Sequence, residues 1–257
     1  MANSRLIFFP IATIVLLALL LGPSLQAETA AQRAGKHFLS ARTQFQNDRD
    51  SFEAAWKFGR ACFDWAEFAQ SDASREDVAN QGIEACRRAV LLRPKSVEGR
   101  YYLAMNFGQL ARTKTLGALK LVEEMEKEFK LTRDIDENFD FSGPDRNLGL
   151  LYFEAPRWPT SIGNRSKARH HFERSAKLSP NYPENRLNLL EAYLKWGDKN
   201  GAQREFNAIE KTWGAAKKEF SGNQWESSWT DWEKRRGKIE IKFIESPKKF
   251  ESPRQKK

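Results

Sequence analysis

The sequence predicts an all-α solenoid of helical hairpins closed at its C-terminal end by a capping helix. Three observations predict it. No segment alternates apolar and polar residues with the period of a strand, whereas Ala- and Leu-rich runs recur at helical spacing. One residue pattern also occurs twice in succession. Leu148, Gly149 and Tyr152 are followed by Ala168, Phe172 and Pro180; Leu189, Tyr193, Ala202 and Phe206 then fall in the same slots, with no insertion between the two halves. Finally, Trp225, Trp229 and Trp232 stand at i, i+4 and i+7, an aromatic stripe suited to covering the open apolar end of a stack of hairpins.

Composition agrees with this class. The chain has 257 residues, 30% charged and 40% apolar, with few Gly and Pro, which is enough to bury a sizeable helical core. Residues 1–27 read differently. Arg5 precedes an apolar run from Leu6 to Gly22, and Pro23 to Ala27 ends on a small residue. That is the layout of a secretory signal peptide cleaved after Ala27, with an uncleaved membrane anchor as the other reading. No Cys follows the run, which argues against an acylated lipoprotein.

The net charge of +9 is unevenly placed: Arg5 supplies +1 and Lys234–Lys257 supplies +7, so the body between them is nearly neutral. The basic balance therefore describes a tail, not a nucleic-acid-binding domain. Three divisions follow: a leader over 1–27, a repeat domain over 28–235 and a basic, disordered tail over 236–257.

Along the chain, Ala30–Phe45 reads as a first, atypical helix, ended by a turn at Asn47–Ser51 that supplies an N-cap. Phe52–Phe68 is aromatic on several sides and calls for neighbours on two faces. A break at Ser71–Arg75 precedes a helix from about Glu76 to Leu92, with Gly82, Cys86 and Ala89 on its packing face and Pro94 closing it. Val97–Leu110 and Thr113–Phe129 read as the next hairpin. Cys62 and Cys86 lie on the two helices of one hairpin; a disulfide and two small buried packing residues are both compatible with that spacing.

Two connections look long. Pro156–Gly163 interrupts the third hairpin, and its Trp158 and Ile162 either pack back on the solenoid or form a binding lip; packing is the favoured reading. Thr132–Ser142 carries Asp134, Asp136, Asn138 and Asp140 in the first, third, fifth and seventh positions of a calcium loop, with Asp145 at the twelfth. Phe139 stands where that loop requires Gly, so solvated loop acids are expected instead.

No catalytic constellation appears. His170 and His171 are adjacent on a helix and point about 100° apart, so they cannot pinch one metal ion. There is no CxxC pair, phosphate loop, dinucleotide fingerprint or nucleophile elbow. The sequence thus points to a non-catalytic protein with neither cofactor nor metal.

The slots filled by Leu148, Gly149, Tyr152, Ala168, Phe172 and Pro180 resemble the tetratricopeptide repeat, W-x2-L-G-x2-Y…A-x3-F…P. That resemblance implies a concave groove lined by the fifth, ninth and twelfth residues of each first helix. Here these are Tyr101, Met105 and Gly108, then Arg146, Leu150 and Phe153, then Leu187, Glu191 and Leu194, with Gln109 and Lys195 at the edge. The candidate partner-binding residues are Tyr101, Met105, Gln109, Arg146, Phe153, Glu191 and Leu194, a mixture suited to an extended peptide or an amphipathic helix. Arg146 is expected either to grip a partner's carboxylate or to pair internally with Glu191 or Asp145.

From Leu148-Gly149 through Tyr152, Pro156, Ile162-Gly163 and Lys167-Ala168 to His171-Phe172-Glu173-Arg174, the chain also resembles the T component of TRAP transporters. Those are exported helical-repeat proteins that associate with a periplasmic substrate-binding protein. The expected function is an exported, periplasmic or secreted interaction scaffold for a protein or peptide, or alternatively such an accessory subunit. The basic tail would add a weak attraction to anionic membrane surfaces.

Overall fold

Side-chain caps set where the helices begin. The hydroxyls of Thr29, Ser51, Ser71 and Ser96, the Asn164 amide oxygen and the Asp198 carboxylate each accept from a backbone N–H of the first turn. At Thr29 the bond is reciprocated by Gln32 in a capping box. The computed structural model describes residues 28–114 and 117–245, with the backbone alone for 241–245. Among them are ten α-helices: α1 (Ala30–Asn47), α2 (Phe52–Ala66), α3 (Asp72–Leu92), α4 (Val97–Ala111), α5 (Ala118–Ile135), α6 (Phe139–Glu154), α7 (Arg165–Leu178), α8 (Pro183–Trp196), α9 (Lys199–Glu219) and α10 (Glu226–Glu245). No strand occurs among the described residues, only an isolated bridge between Arg157 and Gly163. The leader over 1–27 and residues 246–257 of the expected tail lie outside the described residues.

The hairpins α2–α3, α4–α5, α6–α7 and α8–α9 stack in sequence, with α1 on the outer side of α2 and α10 against α8. Close helix approach rests on small residues opposite large ones. A Cβ on Gly149 would stand 2.5 Å from Phe172 Cδ1, so the glycine of one helix of the third hairpin is matched to the phenylalanine of the other. In the first hairpin, space beside Gly59 is taken by the Cys86 sulfur and space beside Gly82 by the Asn106 side chain. Asn106 donates to the carbonyls of Gly59 (2.9 Å) and Tyr102 (2.7 Å) and so ties α4 to α2. Cys62 and Cys86 are unbridged, buried thiols. Burial pushes both well above the ordinary thiol range, which leaves them inert packing residues.

Boundaries differ from expectation in three places. The Ser71 hydroxyl caps α3 directly, so this helix starts at Asp72, four residues early. Gly117 adopts a left-handed conformation (φ 85°), available cheaply only to glycine, and α5 begins after it. α5 then runs to Ile135, so the expected loop over Thr132–Ser142 shrinks to a tight turn. The third is at the C-terminal end. α10 continues to Glu245, past the boundary at residue 235, with Ile239 buried at 3% exposure and Arg236 paired to Glu210 (2.7 Å).

The tryptophan stripe faces inward. Trp232 is 1% exposed, Trp229 donates to the Phe220 carbonyl (2.6 Å), and Trp225 packs edge-on against Phe220 and Phe141. The start of this cap also meets the first helix: Arg33 donates to Glu226 (2.8 Å) and to the Asn223 carbonyl (3.2 Å). Among the described residues, no helix is long and apolar enough to cross a membrane.

Candidate interaction surface

The fifth-slot residues of α4 and α6 converge on one polar hub. Asp140, Phe141 and Ser142 have φ values of 49°, 54° and 63°, three successive non-glycine residues in the left-handed region. Arg146, one turn into the regular part of α6, holds this turn. Its guanidinium donates to the Asp140 carboxylate (2.5 Å), to the carbonyls of Asp140 (3.0 Å) and Phe141 (3.3 Å), and to Asn185 of α8 (3.2 Å). The Tyr101 hydroxyl of α4 donates to the same carboxylate, and Asn147 donates to that hydroxyl (2.9 Å). The Arg146 guanidinium also lies 4.9 Å over the Tyr182 ring, which stacks on Phe141. Burial alone would weaken the Arg146 charge, but the surrounding groups, the Asp140 carboxylate among them, more than offset it and hold the pKa above the ordinary value. Burial, then Asp140, pushes the Tyr101 hydroxyl well up, so it stays a neutral donor.

The α8 stripe meets α10. Arg235 donates to Glu184 (2.7 Å), Asn188 (2.6 Å) and both oxygens of Glu191 (3.0 and 2.9 Å), while Trp232 Nε1 donates to Glu184 (2.7 Å). Burial would raise the Glu184 pKa; Arg235 and the Trp232 hydrogen bond override it and hold the carboxyl below its usual value. Between the two helices lies an open cleft of about 560 Å³, lined by Glu191, Leu194, Lys195, Arg235, Lys238 and Ile239.

Of the seven sequence candidates, Glu191 and Leu194 line this cleft. Met105 and Phe153 are partly exposed, and Phe153 lies beneath the Lys195 ammonium (4.4 Å) and edge-on to Trp196. Tyr101, Gln109 and Arg146 are buried with internal partners; Gln109 accepts from Arg75 (2.9 Å) and donates to Glu67. Neither expected internal partner of Arg146 is the one found. Glu191 belongs to Arg235, and Asp145, fully buried, accepts from His171 (2.7 Å) and Arg174 (2.9 Å).

Asp140 and Asp145, two positions of the calcium-loop count, are thus taken by basic side chains. Among the described residues, no cluster of three or more His, Cys, Asp or Glu is arranged to hold a metal ion. Arg235, Lys238 and Ile239 escaped the sequence reading. Ile239 follows Trp232 at i+7, so extending the tryptophan stripe by two turns would have found it.

Stacked hairpins, the glycine–phenylalanine contact at the repeat slots and the aromatic cap define a tetratricopeptide-type solenoid. Among the solved structures similar to it are two with the following alignments. The crystal structure of TTC0263, a thermophilic TPR protein in Thermus thermophilus, aligns over 89% of this chain and 95% of its own, with 16% identity and a TM-score of 0.58. The crystal structure of MamA aligns over 73% of this chain and 96% of its own, with 17% identity and a TM-score of 0.50. No protein-family model matches the sequence, and no curated protein is similar to it.

Proposed function

We propose that this protein is an exported interaction scaffold that holds an extended segment or helix of a partner protein along the face formed by the first helices of the repeats, α4, α6 and α8, against the cleft beside α10. The fold supports a protein-interaction role in general. The observation that carries the finer reading is the contrast within one slot family. Its polar members Tyr101 and Arg146 are satisfied internally, while Met105, Phe153 and Leu194 keep part of their apolar surface open. Glu191, Lys195 and Lys238 line the cleft with Leu194 and bring charge of both signs to it, and Lys195 also lies over the Phe153 ring. An amphipathic segment with an acidic residue beside an apolar stripe would match it. Export is proposed from the leader-like composition of residues 1–27.

The test is site-specific photo-crosslinking in intact cells. A crosslinker replacing Leu194 should capture a defined partner, and one replacing the exposed Lys211 of α9 should not. Capture of the same partner from both positions, or only from Lys211, would put the interaction elsewhere. A substrate-binding protein as the captured species would favour the transport-accessory reading over the scaffold.

A further inference from the structure

The connection between α6 and α7 is built to present a tryptophan. Its base is pinned: the Gly163 N–H donates to the Pro156 carbonyl and the Asn164 N–H to the Tyr152 carbonyl, each at 2.9 Å. The N–H groups of Thr160 and Ser161 donate to the Arg157 carbonyl and close the tip on itself. Gly163 is buried against the backbone of Ala155 and Pro156, and Ile162 packs on the core. The same loop leaves Trp158 85% exposed, so the expectation that both apolar residues fold back holds for Ile162 alone. An exposed indole of that extent on a tied-down loop is unusual, because burying it is favourable.

The sequence around the loop is basic. From Ala155 to Phe172 the sequence contains no Asp or Glu, but has Arg157, Arg165, Lys167 and Arg169. Arg169 pairs with Asp198 (3.1 Å). Arg165 donates to the Trp196 carbonyl (3.3 Å) and lies over the Trp196 ring (5.3 Å), while Lys167 lies over the Tyr152 ring (5.0 Å), next to the loop base and within electrostatic reach of Glu126. Among the described residues, Arg157, Arg165 and Lys167 form no ion pair with a carboxylate. The two acids that flank this run are engaged elsewhere: Glu154 faces Lys195 (3.8 Å) and Glu173 accepts from the Tyr193 hydroxyl (2.6 Å).

We infer that this loop docks the protein on an anionic lipid surface, with Trp158 entering the headgroup layer and Arg157, Arg165 and Lys167 facing lipid phosphates. Tryptophan favours that layer because its ring is apolar and its N–H still finds partners there. An exposed indole flanked by cations that form no salt bridge suits a flat, fluid, negatively charged surface.

The test is co-sedimentation of the full chain with vesicles of phosphatidylcholine containing phosphatidylglycerol, and with vesicles of phosphatidylcholine alone. Any contribution of the basic C-terminal residues is common to all variants, so the comparison isolates the loop. Binding to the anionic vesicles should weaken about tenfold in Trp158→Ala and by roughly fivefold for each of Arg157→Gln, Arg165→Gln and Lys167→Gln. The melting temperature of Trp158→Ala should not move, because the side chain is exposed. Equal binding by wild type and Trp158→Ala, or no preference for the anionic vesicles, would overturn the inference. So would loss of the vesicle interaction in favour of an acidic polyglutamate peptide as the ligand of the same three cations.

Discussion

Arg146 holds Asp140 at 2.5 Å across the start of α6, and through that pair fixes three consecutive residues in a left-handed turn. Each such residue costs about 1–3 kcal/mol and persists only where its surroundings enforce it. The enforcement is visible: Arg146 and Asn185 hold the Phe141 carbonyl, Ser142 bonds Ser179 (2.9 Å), and the Phe141 ring stacks on Tyr182 at 4.7 Å. The residue that the sequence offers as a grip for a partner is instead the keystone between α4, α6 and α8.

Replacing Arg146 with Met should therefore destabilise the fold by roughly 3–5 kcal/mol, the scale for removing one member of a buried pair. Chemical denaturation measures it. An unchanged midpoint would mean that the turn does not depend on Arg146, and the guanidinium would again be available to a ligand.

The repeat register is tested by two glycines with opposite surroundings. Gly149→Leu forces a side chain into Phe172 and should cost at least about 1–3 kcal/mol. Gly214→Ala, in the middle of α9 with nothing within 4 Å of the added carbon, should be neutral or stabilise by about 0.5–1 kcal/mol. Equal melting temperatures for the two variants would contradict the slot alignment.

These cases mark what the sequence made legible. The hairpins, the Gly149–Phe172 contact and the inward tryptophan stripe follow from local periodicity, because helices repeat their faces every three to four residues. The left-handed turn at Asp140–Ser142 had no signal: none of the three is glycine, and its support comes from Tyr101, Asn185 and Tyr182, distant in sequence. The site was half legible for the same reason. Glu191 and Leu194 sit in repeat slots, whereas Arg235 and Lys238 lie beyond the last repeat and reach the cleft only because α10 lies against α8.

The Arg235–Glu184 pair makes stability pH-dependent. The folded-state pKa of Glu184 lies below its ordinary 4.5, because Arg235 and Trp232 override the effect of burial. Its stabilisation is therefore fully present above about pH 4.5 and is lost as the pH falls through the lower, folded-state value. Arg235→Met should remove about 1–3 kcal/mol at neutral pH and flatten this part of the acid limb. Parallel acid limbs for variant and wild type would show that Glu184 owes nothing to Arg235.

Where the folded domain ends is decided by Ile239. A boundary at residue 235 would cut α10 just before a side chain that is 3% exposed and just before Arg236, which both oxygens of Glu210 accept from at 2.7 and 2.8 Å. Ile239 also forms one wall of the cleft opposite Leu194, so shortening it affects packing and the proposed site together. Ile239→Ala should cost about 2–5 kcal/mol if the site cannot collapse, at the lower end because one side opens on the cleft. Truncation after Arg235 should cost at least as much as the point variant, since it removes Ile239 and Arg236 at once. Thermal melts of the two proteins and the full chain give the comparison. A truncated protein that melts with the full chain would return residues 236–245 to the tail and leave the cleft with a single wall, from α8.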